Sequence, residues 1–378
     1  MVNALPRGPG PAPLPRTGAA ASIARMRTPS PRYLPAVLGL SLLLALAAPA
    51  RGETARLTVL HTTDLHGALT AFDYGHDRPA ARGLVRIASL VRAARAEGAP
   101  VLLLDGGDAI QGGALVDAWQ RGDRARPEPM TAAMTRLGYD AMAVGNHEFS
   151  YGPAALAAAR AASGFPWLAA NVVGADGKPA FGASIVKELA GVRVGIVGLV
   201  TPAVPALEEA AHVAGLRFLP PLEAGNAEAK RLRESERCDL VIAIAHTGLE
   251  RDPASGVARI GDAPDENQGA RLAAELRGVD LLVLGHTHAT VADAGPADGP
   301  LVVQAGSGGT ALGRVDLELA RADARAPWRL TQRRGRTIAL ADSVPPDSAL
   351  ADFAAPYHEA ARAALAERVG TAARDLGS

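Results

Sequence analysis

The sequence has a single cysteine, few aromatic residues and no net charge. Because Cys238 is the only cysteine of the sequence, an internal disulfide is excluded. The apolar run after it in ERCDLVIAIAH indicates a buried, inert thiol. Basic and acidic residues number 39 each. This balance gives no electrostatic reason to expect a nucleic-acid polymer or a membrane surface as a partner. A hydrophobic content of 48% is typical of a globular protein.

No apolar run reaches the roughly 20 residues that a membrane-spanning helix needs. The longest, LPAVLGLSLLLALAAPA, follows the basic stretch MRTPSPRY and ends in Ala48, Pro49 and Ala50. This order is typical of a secretory signal peptide. We therefore predict that 1–50 is an N-terminal extension and signal peptide, with Met26 as a second candidate start. The mature chain is expected to be periplasmic or secreted, without stable membrane insertion after cleavage; an uncleaved anchor is the alternative.

From Leu57 onward, short apolar runs alternate with amphipathic stretches, which predicts an α/β fold with buried strands. The helical stretches include LVRIASLVRAARAEG and ENQGARLAAELRG. Further on, GRVDLELA and WRLTQRRGRTIAL alternate in the manner of antiparallel strands. We predict one domain over 51–342, with the strands LTVLHTT, VLLLD, AMAVG, RVGIVGLV, DLVIAIAH, DLLVLG and PLVVQAG.

The segment 343–378 differs because it is predicted as one helix, beginning at Asp342–Ser343 or at Asp347. A lone helix cannot bury an apolar face by itself, so this one must pack on the preceding domain or on something outside the chain. The residues spaced along its apolar face are Leu350, Phe353, Tyr357, Ala361 and Leu365.

Polar residues follow five of the predicted strands at the point where each strand ends. They occur in LHTTDLHG, LLLDGGD, AVGNHE, IAIAHTG and LVLGHTH. Ligands bind at the carboxyl ends of strands in open α/β sheets, so these side chains can converge. If each D-x-H or H-x-H pair is extended, its two side chains face the same way. The candidate metal ligands are Asp64, His66, Asp108, Asn146, His246, His286 and His288.

Imidazole nitrogens and hard oxygens without a thiolate suit Mn, Zn, Fe or Mg. A carboxylate such as Asp108 can bridge two cations, and two cations about 3.5–4 Å apart can clamp a phosphoryl group. Each motif alone is weak, because a single His at the end of a strand is more often structural. The five motifs together, in this order, predict two divalent metal ions and phosphoryl chemistry.

This series, D-x-H, G-D, G-N-H-E, H and G-H-x-H, resembles the calcineurin-like metallophosphoesterases over roughly Leu57 to Leu340. The resemblance implies an α/β (α+β) fold, a four-layer αββα sandwich of two sheets faced by helices. It implies a catalytic His147 beside a metal-bridging hydroxide, and Glu148 is expected to make a structural hydrogen bond. It also implies two metal positions, the first formed by Asp64, His66, Asp108 and His288 and the second by Asp108, Asn146, His246 and His286.

Longer stretches, among them LHTTDLHGAL, AFDY and GLVRIASLVRAAR, resemble the secreted 5′-nucleotidase superfamily. Within it, FDY and GHTH are most similar to the periplasmic 2′,3′-cyclic-nucleotide 2′-phosphodiesterase/3′-nucleotidases, whose substrates are small nucleotides. Ser150 stands where ordinary 5′-nucleotidases usually carry an Asp that orients the catalytic His. We expect Ser150 to hydrogen-bond His147, without stabilising an imidazolium as a carboxylate does. This argues against a plain 5′-nucleotidase.

The resemblance leaves three alternatives: a 5′-nucleotidase or nucleotide-sugar hydrolase, a thiosulfohydrolase of sulfur oxidation, and a truncated, inactive metal-binding remnant. Members of the superfamily normally carry a C-terminal domain that stacks the nucleobase, and no aromatic pair follows Tyr357. We therefore expect 343–378 to be an interdomain-type linker helix, with the C-terminal nucleotide-binding domain absent. The sequence identifies no substrate-binding residues.

Overall fold

The computed structural model describes residues 52–122, 124–259 and 263–368. The predicted signal peptide within 1–50 and the end of the predicted last helix, 369–378, lie outside the described residues. Within the described ranges, no helix is both long enough and apolar enough to cross a membrane.

Strands and helices alternate along the described chain, as the sequence predicts. The strands are β1 (Glu53–Thr62), β2 (Phe72–Asp73), β3 (Arg78–Pro79), β4 (Val101–Asp105), β5 (Ala141–Ala143), β6 (Trp167–Leu168), β7 (Val172–Gly174), β8 (Ser184–Leu189), β9 (Val192–Val200), β10 (Leu216–Phe218), β11 (Leu240–His246), β12 (Leu281–Leu284), β13 (Thr290–Ala294), β14 (Leu301–Ala305), β15 (Ala311–Arg321) and β16 (Arg329–Ala339). The helices are α1 (Leu84–Ala96), α2 (Ala114–Arg121), α3 (Pro129–Leu137), α4 (Gly152–Ala162), α5 (Val204–Leu207), α6 (Pro221–Glu234), α7 (Gly269–Glu275) and α8 (Ser348–Leu365).

Two six-stranded sheets form the centre of the fold, in the orders β16-β15-β1-β4-β5-β6 and β13-β14-β12-β11-β9-β8. Strands β1, β4, β5 and β6 run parallel to one another, and so do β9, β11, β12 and β14. Strands β15 and β16 are antiparallel, which confirms the prediction for GRVDLELA and WRLTQRRGRTIAL. Because the parallel strands of a sheet end at the same edge, the loops that follow them are neighbours there.

Alternate residues of each strand point to opposite faces of its sheet, and this alternation builds four layers. In β1, Val59 belongs to the core between the two sheets, whereas Leu60 belongs to the core shared with α1, α2, α3 and α8. In β11, Ile242 faces the core between the sheets, and Val241 faces the core shared with α6 and α7. The predicted αββα sandwich is confirmed.

The last helix, α8, packs mainly on α2 and α3. Its first residue is Ser348, and its N-cap is Asp347, the second of the two predicted starts. The Asp347 carboxylate accepts a hydrogen bond from the Leu350 amide at 2.9 Å. The Tyr357 hydroxyl donates to the Pro127 carbonyl at 3.0 Å. The predicted apolar face is therefore largely buried on the preceding domain, although Leu365 is 56% exposed. The buried residues of α8 are Leu350, Ala354, Tyr357 and Ala361.

Candidate metal centre

The predicted ligands all lie at or beyond the carboxyl ends of parallel strands, and both large sheets contribute. Strands of the first sheet position Asp64 and His66 (after β1), Asp108 (after β4) and Asn146 (after β5). Strands of the second sheet position His246 (the last residue of β11) and His286 and His288 (after β12). The structure brings all seven side chains to one region where the two sheet edges meet.

Five of these residues have a left-handed backbone conformation. The φ angles are 52° at Asp64, 47° at His66, 58° at Asp108, 72° at His286 and 56° at His288. The D-x-H and H-x-H pairs are therefore not extended segments, contrary to the expectation from the sequence, because they lie in loops beyond the strand ends. Left-handed non-glycine residues are uncommon and cost of order 1–3 kcal/mol each. The surrounding structure must therefore hold these loops in place.

Asp64, His66 and His288 form the first of two groups whose ligand atoms lie within 4.8 Å of one another. The Nε2 atoms of His66 and His288 are 2.9 Å apart, and His288 Nε2 is 3.6 Å from Asp64 Oδ1. The Asp64 side chain is fully buried, whereas that of His288 is 49% exposed. This group therefore opens to solvent on the His288 side.

Asp108, His246 and His286 form the second group. His246 Nε2 lies 3.0 Å from Asp108 Oδ2, and both side chains are buried. Asn146 joins this group, since its Oδ1 is 3.0 Å from His286 Nδ1. The two groups divide the seven residues in the same way as the resemblance does, while the sharing of Asp108 between two ions stays a prediction.

Backbone carbonyls fix the orientation of two of the imidazoles. A carbonyl only accepts, so His66 Nδ1 donates to Gln111 O at 3.0 Å and His246 Nδ1 donates to Gly106 O at 2.7 Å. In its neutral form, each ring then directs its Nε2 lone pair away from the carbonyl. His246 Nε2 is buried and lacks a hydrogen bond of good geometry within the described structure. Imidazoles held in this way fit a metal ion.

Two carboxylates with little-exposed side chains, Glu266 and Glu208, orient His286 and Asn146. His286 Nε2 lies 2.7 Å from Glu266 Oε1 and donates to it, which leaves a lone pair on Nδ1. Asn146 Nδ2 donates to Glu208 Oε1 at 3.3 Å, so Asn146 Oδ1 faces His286. Asn146 Oδ1 and His286 Nδ1 are then two acceptors only 3.0 Å apart. They would repel each other unless a cation lay against both, so the donor set fits a metal at the second position.

Burial and neighbouring charges set the protonation of the ligands. Desolvation raises the pKa of Asp64 to about 7 and lowers the pKa of His66 to about 4. Burial alone would lower the pKa of His246, but the Asp108 carboxylate raises it to about 10. A proton on His246 thus occupies the place that a cation would take, and protonation and metal binding compete.

Glu148 has the structural role expected from the sequence. Its carboxylate accepts hydrogen bonds from the amides of Asp108 at 2.8 Å, Ala109 at 2.7 Å and Gly145 at 2.7 Å. These bonds tie the loop after β4 to the loop after β5. The approach is so close that a Cβ at Gly145 would lie 2.2 Å from Asp108 Oδ1. Only glycine fits at that point.

His147 lies beside the metal-ligand groups, in a single 3-10 turn (His147–Phe149). Its ring centroid is 5.3 Å from that of His66, and its side chain is 35% exposed. Its Nδ1 is 3.0 Å from Ser150 Oγ, which in turn is 2.8 Å from Glu208 Oε2. Glu208 Oε1 itself is 3.5 Å from His147 Nδ1. Ser150 hydrogen-bonds His147 as expected, but Glu208 adds a carboxylate that the sequence did not indicate, so Ser150 by itself no longer gives a physical argument against a 5′-nucleotidase.

Glu208 and Glu266 are the site residues that sequence reasoning missed. Glu208 follows the short helix α5, and Glu266 lies shortly before α7. Acidic residues near helix ends are common on solvated surfaces, so their local sequence gives no signal. Their burial distinguishes them, because their side chains are only 6% and 13% exposed.

A cavity of about 350 Å³ borders the metal-ligand groups at His66. Its walls include Phe72 and Tyr74 of the FDY stretch, together with Arg82. The Tyr74 hydroxyl is 2.8 Å from His358 Nδ1 of α8, so the helix supports this wall. Aromatic rings and a guanidinium are the kinds of group that contact a nucleobase and a phosphate.

Two sheets faced by helices, with imidazole, amide and carboxylate ligands where their edges meet, define a metal-dependent hydrolase. The sequence from residue 57 to residue 290 matches the model of the calcineurin-like phosphoesterase family. The chain belongs to this family, whose members are phosphoric ester hydrolases.

The chain is similar to named nucleotide hydrolases. A 2′,3′-cyclic-nucleotide 2′-phosphodiesterase/3′-nucleotidase of Yersinia enterocolitica is 33% identical over 376 residues, covering 90% of this chain and 56% of that protein. A 5′-nucleotidase of Vibrio vulnificus is 30% identical over 339 residues, covering 82% of this chain and 59% of that protein. The crystal structure of the calcineurin-like phosphoesterase YfkN of Bacillus subtilis has a TM-score of 0.74 at 27% identity, covering 83% of this chain and 100% of that one. The chain thus spans a little over half the length of these two curated relatives.

Proposed function

We propose that this chain hydrolyses phosphate esters of nucleotides, with 2′,3′-cyclic nucleotides as preferred substrates and 3′-nucleotides as secondary ones. The observation that carries the proposal is the convergence of two metal-ligand groups, His147 and the cavity at His66. The preference for the cyclic substrate is supported by the similarity to the Yersinia protein and by the FDY and GHTH stretches.

Two divalent cations (Mn, Zn, Fe or Mg) at the two groups would polarise the phosphoryl oxygens and supply an activated water. The first group would hold one ion through Asp64, His66 and His288, the second would hold the other through Asn146, His246 and His286, and Asp108 would contact both. The orientations of the ligand imidazoles are fixed by the contacts of His66 and His246 with backbone carbonyls and of His286 with Glu266.

In the cyclic diester, the water oxygen bonds to phosphorus while the bond from phosphorus to O2′ breaks. The O2′ atom takes up a proton, and a 3′-nucleotide is released. His147 has its Nδ1 against Ser150, so its Nε2 is the nitrogen available to the substrate. From there it stabilises the developing charge on the phosphoryl group or protonates the leaving oxygen.

The test uses the chain from Arg51, stripped with a chelator and reloaded with manganese. Rates on 2′,3′-cyclic AMP, 3′-AMP, 5′-AMP and a generic aryl phosphodiester are compared. We expect the highest kcat/KM on 2′,3′-cyclic AMP. Two bound metal ions with no turnover of any of these substrates would overturn the proposal and leave the inactive remnant and the thiosulfohydrolase as the remaining interpretations.

His147→Ala tests the assigned role of the imidazole. Loss of a general acid or of a charge-stabilising donor should lower kcat by about 10²–10⁴-fold while the metal content stays at two ions per chain. If the metal is lost as well, His147 is a ligand and the division of roles is wrong.

A 5′-nucleotidase is the second candidate, and Glu208 is the observation that favours it. With a carboxylate 3.5 Å from His147 Nδ1, the site has the kind of charge partner that Ser150 alone lacks. The Vibrio relative supports the same interpretation. A kcat/KM on 5′-AMP that exceeds the value on 2′,3′-cyclic AMP would establish it.

The proposed location is periplasmic or secreted, and the proposed catalytic unit is 51–342 with α8 (Ser348–Leu365) packed on it. The support is the signal-like segment before Arg51 and the contacts of α8 with α2 and α3. N-terminal sequencing of the protein recovered from an exporting bacterial host checks the location. Cleavage after Ala50 is expected, and an intact N-terminus in a membrane fraction would indicate an anchor.

A further inference from the structure

We propose that Glu208 is a positioning residue for His147 and acts through the Ser150 hydroxyl. The proposal rests on the proposed function, because it takes His147 as the catalytic imidazole. The carboxylate that orients His147 then comes from the loop after α5 instead of from position 150.

The hydrogen bonds between these residues have one consistent direction. A carboxylate only accepts, so the Ser150 hydroxyl donates to Glu208 Oε2 at 2.8 Å. The single hydroxyl proton is then committed, and Ser150 Oγ accepts from His147 Nδ1–H at 3.0 Å. His147 therefore carries a proton on Nδ1 whether the ring is neutral or charged. Its Nε2 is left for the substrate, as in other histidines oriented from the far side of the ring.

The surroundings of Glu208 distinguish it from the structural carboxylates of this fold. Glu148 accepts mainly from backbone amides, which is how a carboxylate ties loops together. The side chain of Glu208 instead contacts Ser150, His147 and Asn146. Among the described residues, its ion-pair partner is His147, and its side chain is only 6% exposed.

Removing a carboxylate from water costs free energy unless it is paired and hydrogen-bonded. The partners of Glu208 therefore indicate its role. Those partners are the catalytic imidazole, the hydroxyl that contacts it and the amide of a predicted metal ligand. One carboxylate thus orients His147 and keeps Asn146 Oδ1 turned to the second metal-ligand group.

Glu208→Gln separates these roles because glutamine has one acceptor oxygen and one NH2 group. If the oxygen stays with Asn146, the NH2 group faces Ser150. The Ser150 hydroxyl must then accept from it and turn its own proton toward His147 Nδ1. The proton of neutral His147 moves to Nε2. The substitution therefore reverses the hydrogen-bond chain while keeping a side chain of the same shape.

The first measurement compares steady-state kinetics of the manganese-loaded wild type and E208Q on 2′,3′-cyclic AMP. We expect kcat to fall by about 10–100-fold, the usual effect of removing an orienting partner, with KM within about twofold. Glu209→Gln is the matched control, because the neighbouring Glu209 side chain is 80% exposed and lies 3.6 Å from His212. E209Q should behave as wild type.

The second measurement is the tautomer of His147 at fixed pH, from ¹⁵N-histidine NMR of the zinc-loaded chain. The His147 signals are assigned by their loss in the H147Q variant. We expect the wild type to show a protonated Nδ1 and E208Q to show a protonated Nε2. A purely structural role of Glu208 would not move this signature.

Ser150→Asp gives a third test, since a carboxylate there can contact His147 directly. With Glu208 present, S150D places two carboxylates side by side and should lower kcat. In the E208Q background, S150D restores an acceptor for His147 Nδ1–H and should raise kcat by at least roughly fivefold over E208Q alone. We expect S150D to lower kcat in the wild type and to raise it in E208Q only if both carboxylates orient the same imidazole.

The proposal is overturned if E208Q changes neither kcat nor the tautomer. It is also overturned if higher metal concentration fully restores the kcat of E208Q, because Glu208 would then act through Asn146 alone. If the wild type hydrolyses none of the nucleotides, the proposed function fails, and the tautomer comparison still decides the assignment of Glu208.

Discussion

Glu266→Gln should lower the affinity for the metal ion at the second group and leave the affinity at the first group unchanged. Glu266 Oε1 accepts from His286 Nε2, and Glu266 Oε2 accepts from the Ala263 amide, both at 2.7 Å. Glutamine has a single acceptor oxygen, so it can satisfy one of these donors and must turn its NH2 group toward the other. The Ala263 amide can only donate, whereas a neutral imidazole can change its tautomer, so we expect the oxygen to stay with Ala263 and the NH2 group to face His286. The proton of His286 then moves to Nδ1, the nitrogen that would bind the metal ion.

The expected size follows from the burial of the pair. The His286 and Glu266 side chains are 10% and 13% exposed, so water screens their interaction little. Loss of such an outer carboxylate costs about 10–100-fold in metal affinity, equivalent to about 1.4–2.7 kcal/mol. Within the described residues, the Glu266 carboxylate bonds to His286 and Ala263 and not to His66 or His288, so the affinity of the ion at the first group should stay the same.

The assay is a competition titration of the chelator-stripped protein with zinc and a chromophoric chelator, which resolves two dissociation constants. Only the one assigned to the second group should rise in E266Q. Glu275→Gln on α7 is the control. The Glu275 side chain is 51% exposed, and its ion-pair partner is Arg271 at 3.6 Å, which is not a candidate metal ligand. Unchanged constants in E266Q, or an equal rise in both, would refute the reasoning about His286.

Three further changes have defined outcomes. Burial lowers the pKa of His61 to about 4, so the neutral ring favours the folded state above pH 6.5. As pH falls from 6.5 toward 4, the free energy of unfolding should decrease by about 1.4 kcal/mol per pH unit. Urea unfolding of the metal-free protein at pH 7.5 and pH 5 should show a smaller decrease for His61→Leu than for the wild type. Gly145→Ala should abolish tight binding of two metal ions in the same titration, because the new Cβ would lie 2.2 Å from Asp108 Oδ1. Asp347→Ala removes the cap of α8 and should lower the free energy of unfolding by about 1 kcal/mol without changing kcat; a change in kcat would show that α8 influences the site.

The alternation of strands and helices and the positions of the candidate metal ligands at strand ends could be predicted from the sequence, because both depend on local patterns. Buried parallel strands appear in the sequence as apolar runs, and five of the predicted runs are followed by the polar residues of a loop at the strand end. The αββα arrangement came from the resemblance, since the strand pattern alone does not separate one sheet from two. The structure then shows Val59 of β1 and Ile242 of β11 in one shared core.

The backbone conformation of the ligands could not be predicted in the same way. A D-x-H pair is compatible with an extended segment, but the hydrogen bonds of Asp64 and His66 with the loop after β4 require left-handed turns. Glu208 was missed because its partner Ser150 is 58 residues away in the sequence. Contacts of that kind depend on the assembled fold.

The two groups of ligands have a consequence for cohesion of the sandwich. Each group joins residues from the two sheets, for example Asp64 with His288, which are far apart in sequence. In a chain whose one cysteine allows no internal disulfide, a bound ion would act as a reversible cross-link between the sheets. An ion at a thousand times its dissociation constant adds about 4 kcal/mol to the folded state. Chelation should therefore loosen the packing of one sheet on the other, and hydrogen exchange in β1, β4, β11 and β12 would report it.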